Sequence, residues 1–362
     1  MSRLVPNEIQ AIPGIFSPDA ARRYVEELRA SLDPDRAESD LHVRDLDIAG
    51  ITVRLRLAGQ MAEALFPALA HLPNGVGNPH VVLEGWDTAS TGIRPPHPPF
   101  TPEDYHRYGQ RAVVYGESIA LMHAPTTPIL CAYDRKTRHG IFWTADATAL
   151  SIYERAAPMQ TLFHWALGEF GWQIVHAAAV GNETGGLLLI GGTGAGKSTT
   201  ALSCLDDSPL RFLCDDKCLV RLEPEPQVFA LFSSAKIKGD MLARFPLLKE
   251  RLQGWDAHFK AGKGLVFLHP DFSDRMIRSF PIQALLIPRV KRNEQAQLHP
   301  ASPRKIFLAL GPSTAIWLPG AEADNYRFTA ELTRRLPCHQ LDLALEPSRN
   351  TAALATLLEE LS

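Results

Sequence analysis

The chain has 362 residues, 45% of them hydrophobic and 21% charged, a globular composition that excludes wholesale disorder and has length enough for two domains. With 37 basic and 40 acidic side chains the formal charge is −3, so there is no electrostatic case for nucleic acid or a membrane surface as the main partner. No apolar run approaches a membrane span, Met1-Ser2-Arg3-Leu4-Val5-Pro6 lacks a signal-peptide core, and five scattered cysteines fit a reducing compartment, so a cytoplasmic protein is expected.

A helix is predicted from Ser17 to Leu32. Ser17 is a good N-cap, Pro18 suits the first helical position, and Ala21, Tyr24, Val25, Leu28 and Leu32 form one apolar face ended by Asp33-Pro34. Val53, Leu55 and Leu57 alternate with Arg54 and Arg56, the pattern of a half-buried strand. Gln60–Leu72 reads as helix and Val81–Trp86 as strand. Arg94-Pro95-Pro96-His97-Pro98-Pro99 is a proline-stiffened connector. Short strands follow near Ala112–Tyr115, Ile129–Tyr133 and Gly140–Thr144. A composition shift at Ala156-Ala157-Pro158 divides the chain into an N-terminal α+β domain, residues 1–155, which could bind an acceptor, and a second domain, residues 156–362.

Pro158–Phe170 is an amphipathic pattern closed by Gly171. Ile174–Val180 reads as one buried strand. A turn over residues 181–186 and the strand Leu187–Ile190 complete an antiparallel hairpin. Further strand-like segments are Gln227–Phe232, Leu265–His269, Gln283–Pro288 and Gln340–Leu343, before a helix near Thr351–Leu361.

Gly191-Gly192-Thr193-Gly194-Ala195-Gly196-Lys197-Ser198 matches G-x-x-x-x-G-K-[ST] at every fixed position, after an apolar strand and before a helical run beginning at Thr199. The glycines let backbone N–H groups turn inward around a phosphate chain, and the helix start favours its charge. Lys197 can reach the terminal phosphates and the Ser198 hydroxyl can ligate Mg²⁺. One helix and one short loop later, Phe212-Leu213-Cys214-Asp215-Asp216 reads as an apolar strand ending in two carboxylates. Such a pair suits a kinase, one carboxylate helping to hold Mg²⁺ and the other accepting a hydroxyl proton. Asp206-Asp207, beside Ser and Pro, reads as a solvated loop. Cys214 and Cys218 read as two buried structural thiols on one strand face. His176 precedes the hairpin that runs into Gly191, which places it near the mouth of the loop.

Taken together, these elements resemble the HPr kinase/phosphorylase family, whose kinase core is related to phosphoenolpyruvate carboxykinase. The resemblance covers about Pro158 to the C-terminus. It implies a P-loop kinase domain with a mixed sheet, an α/β (α+β) fold overall, and ATP and Mg²⁺ as cofactors. It also implies roles: Asp216 as proton acceptor, Lys197 for the phosphates, Ser198 and Asp215 for the metal, and His176 as the active-site histidine. The family's Ile-Arg-Gly-Leu-Gly-type run is absent. Phe232-Ser233-Ser234-Ala235-Lys236-Ile237-Lys238-Gly239-Asp240 stands there, with Asp240 as the candidate metal ligand. The downstream basic catalytic residue is Lys263 or Arg289. Residues 1–155 do not resemble the family's own N-terminal domain. The chain is more similar to the HPr-kinase-related bacterial serine kinases, some of which phosphorylate ribosomal natural-product peptides such as lasso peptides.

The expected function is ATP-dependent phosphorylation of a hydroxyl, a serine of a protein or peptide acceptor, with a homo-oligomer left open. Two alternatives remain: a small-molecule kinase of the shikimate or gluconate kinase type, against which the hairpin before the loop argues, and a nucleotide-binding regulatory protein.

Overall fold

The computed structural model describes residues 18–31, 41–105, 111–257, 262–316, 318 and 320–361. Alternating apolar side chains make β1 (Leu41–Ile48) and β2 (Ile51–Ala58) an antiparallel pair, turned at Ala49 and Gly50 with φ of 56° and 84°. β3 (Val81–Asp87), β4 (Ala112–Tyr115), β5 (Ile119–Ala124), β6 (Ile129–Asp134) and β7 (His139–Thr144) follow. The sheet runs β1-β2-β3-β7-β6-β5-β4, parallel across β2-β3-β7 and antiparallel elsewhere. The helix Pro18–Ser31 covers one face, burying Ala21, Tyr24, Val25 and Leu28 with Trp86, Leu121 and Ile141. Its predicted N-cap, Ser17, and its end at Leu32 and Asp33-Pro34 lie outside the described residues. Helices Met61–Leu69 and Gln160–Gly168 pack into the core on the other side.

The second of these helices is not amphipathic. Thr161 to Leu167 are buried on every side, because the helix lies between the first sheet and side chains of the later strands, among them Leu219, Phe229 and Phe232. One continuous core thus crosses the composition shift at Ala156. Backbone bonds cross it too: the Ser233 N–H donates to the Ala68 carbonyl at 2.8 Å.

The remaining strands are β8 (Gln173–Val175), β9 (Ala178–Gly181), β10 (Gly186–Leu189), β11 (Arg211–Cys214), β12 (Cys218–Arg221), β13 (Gln227–Phe229), β14 (Ser234–Lys238), β15 (Gly254–Asp256), β16 (Lys263–Phe267), β17 (Ser279–Asn293), β18 (Gln297–Pro300) and β19 (Cys338–Ala344). The order β11-β9-β10-β17-β13-β12-β8 forms a mixed sheet, extended by β19 beside β17 and β18 beside β19. β14-β16-β15 is a separate antiparallel sheet. The helices Pro303–Ala315, Glu322–Arg335 and Pro347–Leu361 complete a mixed α/β fold. No described helix is long and apolar enough to cross a membrane.

Two strand expectations are corrected. The run Ile174–Val180 is two strands: β8 pairs with β12, whereas β9 pairs with β10 and β11. The break falls at His176-Ala177, where the His176 N–H leaves the ladder to donate to Thr314 Oγ1 at 3.2 Å. Both halves are buried, so hydrophobicity does not reveal the break. The other strand, β11, stops at Cys214 after a register shift against β9, so Asp215 and Asp216 sit in the turn to β12. Cys214 and Cys218 therefore lie on two strands, each buried and directing its thiol at the carbonyl of Ala177 or Val175.

Candidate nucleotide site

β10 delivers the chain into the phosphate loop, and the helix Lys197–Leu202 leaves it. Gly191, Gly194 and Gly196 have φ of 145°, 86° and 105°, which side chains rarely adopt, so the loop's course depends on them. A Cβ on Gly196 would also occupy the place of the Leu343 side chain. Lys197 is buried and its ammonium donates to the carbonyls of Gly191 and Gly192. Burial pulls its amine below the ordinary range, and the nearby Asp216 and Asp215 offset part of that.

The loop residues Gly192, Thr193, Gly194, Ala195, Gly196, Lys197, Ser198 and Thr199 line a cavity of about 280 Å³. His176, Asp216, Lys236, Lys238, Asp240 and Lys263 line it as well. Gly191 does not, and serves through its carbonyl on Lys197.

Asp216 is the centre of the charged wall. One carboxylate oxygen meets His176 Nε2 at 3.0 Å, and the other accepts from Lys236 Nζ at 3.1 Å with Lys217 Nζ at 3.5 Å. Its side chain is 26% exposed. Burial pushes the Asp216 carboxyl up, but Lys236, Lys217 and His176 outweigh it and hold it well below the usual carboxylate range. The other ring nitrogen of His176 lies 3.2 Å from the Ser313 carbonyl. Both ring nitrogens thus face acceptor oxygens, which fixes the orientation of the ring.

Asp215 is placed differently. It is 2% exposed, does not line the cavity, and accepts the Lys236 N–H at 2.9 Å. It anchors β14 beside Asp216. Asp240 lies on the turn after β14, exposed at the cavity. Of the two basic candidates, Lys263 reaches the cavity; Arg289 instead donates to Gln340 Oε1 at 3.2 Å.

Three residues were not singled out from sequence. Lys236 and Lys238 alternate along β14, and that two-residue spacing was the available signal for a shared face. Burial works against the Lys236 charge, but Asp216 and Asp215 outweigh it and hold the amine above its ordinary value. Tyr153 lies on the helix Ile152–Ala156, and its ring centre is 5.9 Å from both the Lys236 and Lys263 ammoniums.

No family model matches the chain, and no curated protein matches it. Among the solved structures that are similar in part is the HPr(Ser) kinase/phosphatase from Coxiella burnetii. The two are 13% identical with a TM-score of 0.28, over 52% of this chain and 89% of that chain. A likeness at that level carries no function across.

For a metal, the cavity offers hard oxygen donors: the Ser198 hydroxyl and the Asp240 carboxylate. Among the described residues no three His, Cys, Asp or Glu side chains gather as ligands. That donor set fits Mg²⁺, which takes one or two protein oxygens and draws the rest from phosphates and water.

Proposed function

We propose that the protein is an ATP-dependent kinase that phosphorylates a hydroxyl, the serine of a protein or peptide. The reading is carried by one observation: the phosphate-loop residues Gly192 to Ser198 and the clamped carboxylate of Asp216 line the same cavity.

The loop amides and Lys197 would bind the phosphate chain. Ser198 and Asp240 would hold Mg²⁺, which when bound neutralises charge on the terminal phosphates. The acceptor oxygen attacks the γ-phosphorus. Its bond forms as the bond to the β–γ bridging oxygen breaks, ADP departs, and the hydroxyl proton passes to Asp216. A carboxylate held so far below its usual range is a weak base. It suffices because the transition state is loose and the attacking oxygen becomes acidic only as its bond forms. Lys236 and Lys263 meet the charge on the transferring group from the wall beside Asp216.

The test is mass spectrometry of a serine-containing peptide encoded beside the gene, after incubation with the protein, ATP and Mg²⁺. Phosphate on serine is expected. Phosphate released to water alone, with no acceptor modified, would favour the nucleotide-dependent regulatory reading instead.

A further inference from the structure

Around Gly196 the cavity changes character. Val290, near the end of β17, would lie 3.7 Å from a Cβ at Gly196, and Leu343 of β19 fills that place. Leu345 and Pro347 continue this wall, and Met241 and Phe245 line the same cavity from the chain after β14. Arg244 bridges the two walls by donating to the Leu345 carbonyl at 3.1 Å. Val290 and Leu345 are 57% and 51% exposed. A single exposed aliphatic side chain needs no explanation, but two on the rim of one phosphate-loop cavity form an apolar platform continuous with it.

The polar groups beside this platform are engaged with the protein's own backbone. Asn350 directs its amide at Ala344, accepting its N–H at 2.8 Å and donating to its carbonyl at 3.2 Å. Ser203 donates to the Thr199 carbonyl at 2.7 Å. The Leu345 N–H goes to the Asn293 carbonyl at 2.9 Å, and Val290 and Leu343 are partners in the β17–β19 ladder. The Arg244 guanidinium donates to the Leu345 carbonyl; its remaining N–H groups could favour guanine through O6 and N7, so a strong guanine preference would mark Arg244 as a reader.

Resting on the nucleotide reading above, we propose that this platform holds the nucleobase by apolar contact and stacking alone, so that adenine and guanine nucleoside triphosphates are accepted alike. The two purines differ in their exocyclic groups, and the platform itself, Val290, Leu343, Leu345 and Pro347, carries no polar side-chain atom to read those. A site built to hydrogen-bond such a group rejects the analogue lacking it by about 10⁴–10⁵-fold, whereas an apolar pocket separates similar shapes by only about 10–200-fold.

Calorimetric titration of the full chain with ATP, GTP and inorganic tripolyphosphate, each with Mg²⁺, tests this. ATP and GTP should bind within about tenfold of one another. The double variant Val290→Ser, Leu345→Ser replaces two exposed apolar side chains by small neutral polar ones and adds no charge beside the phosphates. It should weaken both nucleotides by more than about tenfold while leaving tripolyphosphate binding as it was, which also reports an intact fold. A preference of more than about tenfold for one purine overturns the inference and leaves the kinase reading standing. So does a variant that binds ATP as the parent does. If the parent binds no tripolyphosphate, the phosphate-site reading fails and this inference with it.

Discussion

The molecule builds one three-part constellation twice. In the first sheet, Glu84 of β3 accepts from Arg56 at 2.7 Å and meets His139 Nε2 at 2.9 Å, with its side chain 7% exposed. Beside the phosphate loop, Asp216 meets His176 at 3.0 Å and Lys236 at 3.1 Å. In each case burial pushes the carboxyl up and the neighbouring imidazole and cation outweigh it, leaving it below its ordinary value. The donor sets are nearly the same. The surroundings differ: Glu84 is closed in by its sheet, while Asp216 opens on a cavity lined by the phosphate loop. A carboxylate, an imidazole and a cation in reach of one another make a structural clamp, and access by a substrate is what can turn the clamp to chemistry.

The coarsest way to break this comparison is to separate the two regions. Leu162, Phe163 and Trp165 share a core with Leu55, Leu83 and Phe142 on one side and Leu219, Phe229 and Phe232 on the other. A fragment beginning at Ala156 would expose that face to water. We expect it to show no cooperative thermal unfolding and to bind no nucleotide in solution. A soluble fragment with a sharp calorimetric transition would mean that the regions stand independently.

Single substitutions sharpen the contrast. Asp216→Asn should lower transfer by roughly 10²- to 10⁴-fold with nucleotide binding retained. Glu84→Gln should leave the rate of transfer alone and cost about 1–3 kcal/mol of stability, since one of its two donors loses a charged acceptor. Single-turnover assays and urea titrations on both variants check this. A slowed reaction in Glu84→Gln would erase the distinction between clamp and site.

The pH response follows from the sign of the shifts. Both carboxyls are lower in the folded chain than in the unfolded one, so each adds stability above the unfolded value, and that stability is lost as pH falls through the folded value. Asp216 should therefore stay ionised below about pH 4, where an ordinary aspartate takes up its proton. The rate profile of transfer should show no acid limb from this group above that point. A limb near pH 5 that vanishes in Asp216→Asn would contradict the depressed value.

Asp215→Asn should have the smallest effect. Its amide oxygen can still accept the Lys236 N–H, so we expect transfer close to that of the parent and an unchanged Mg²⁺ requirement. A raised requirement in a titration with Mg²⁺ would return Asp215 to the metal.

The phosphate loop is legible in the sequence because its chemistry is local: eight consecutive residues carry the turn, the amides and the lysine. The strands β2, β3 and β6 are legible for the same reason, by alternation and apolar content. What escapes is whatever a distant partner decides. Lys236 is buried in β14 and is satisfied by Asp216, twenty residues earlier in the chain. β17 carries Pro281 and Pro288, which read as interruptions, yet it runs for 15 residues because it pairs first with β13 and then with β10 and β19. The break at His176 is set by Thr314 and by two diverging sets of strand partners, neither visible in the run Ile174–Val180.

That break also bears on how the protein is made. The partners of His176, Ser313 and Thr314, follow it by 137 and 138 residues. At a ribosome adding about 5–20 residues per second, roughly 7 to 27 s separate the histidine from its anchor. The phosphate loop is synthesised near the start of that interval. The loop residues are thus synthesised well before the imidazole beside Asp216 can be oriented, and the order of translation defers reactivity until the fold is nearly whole.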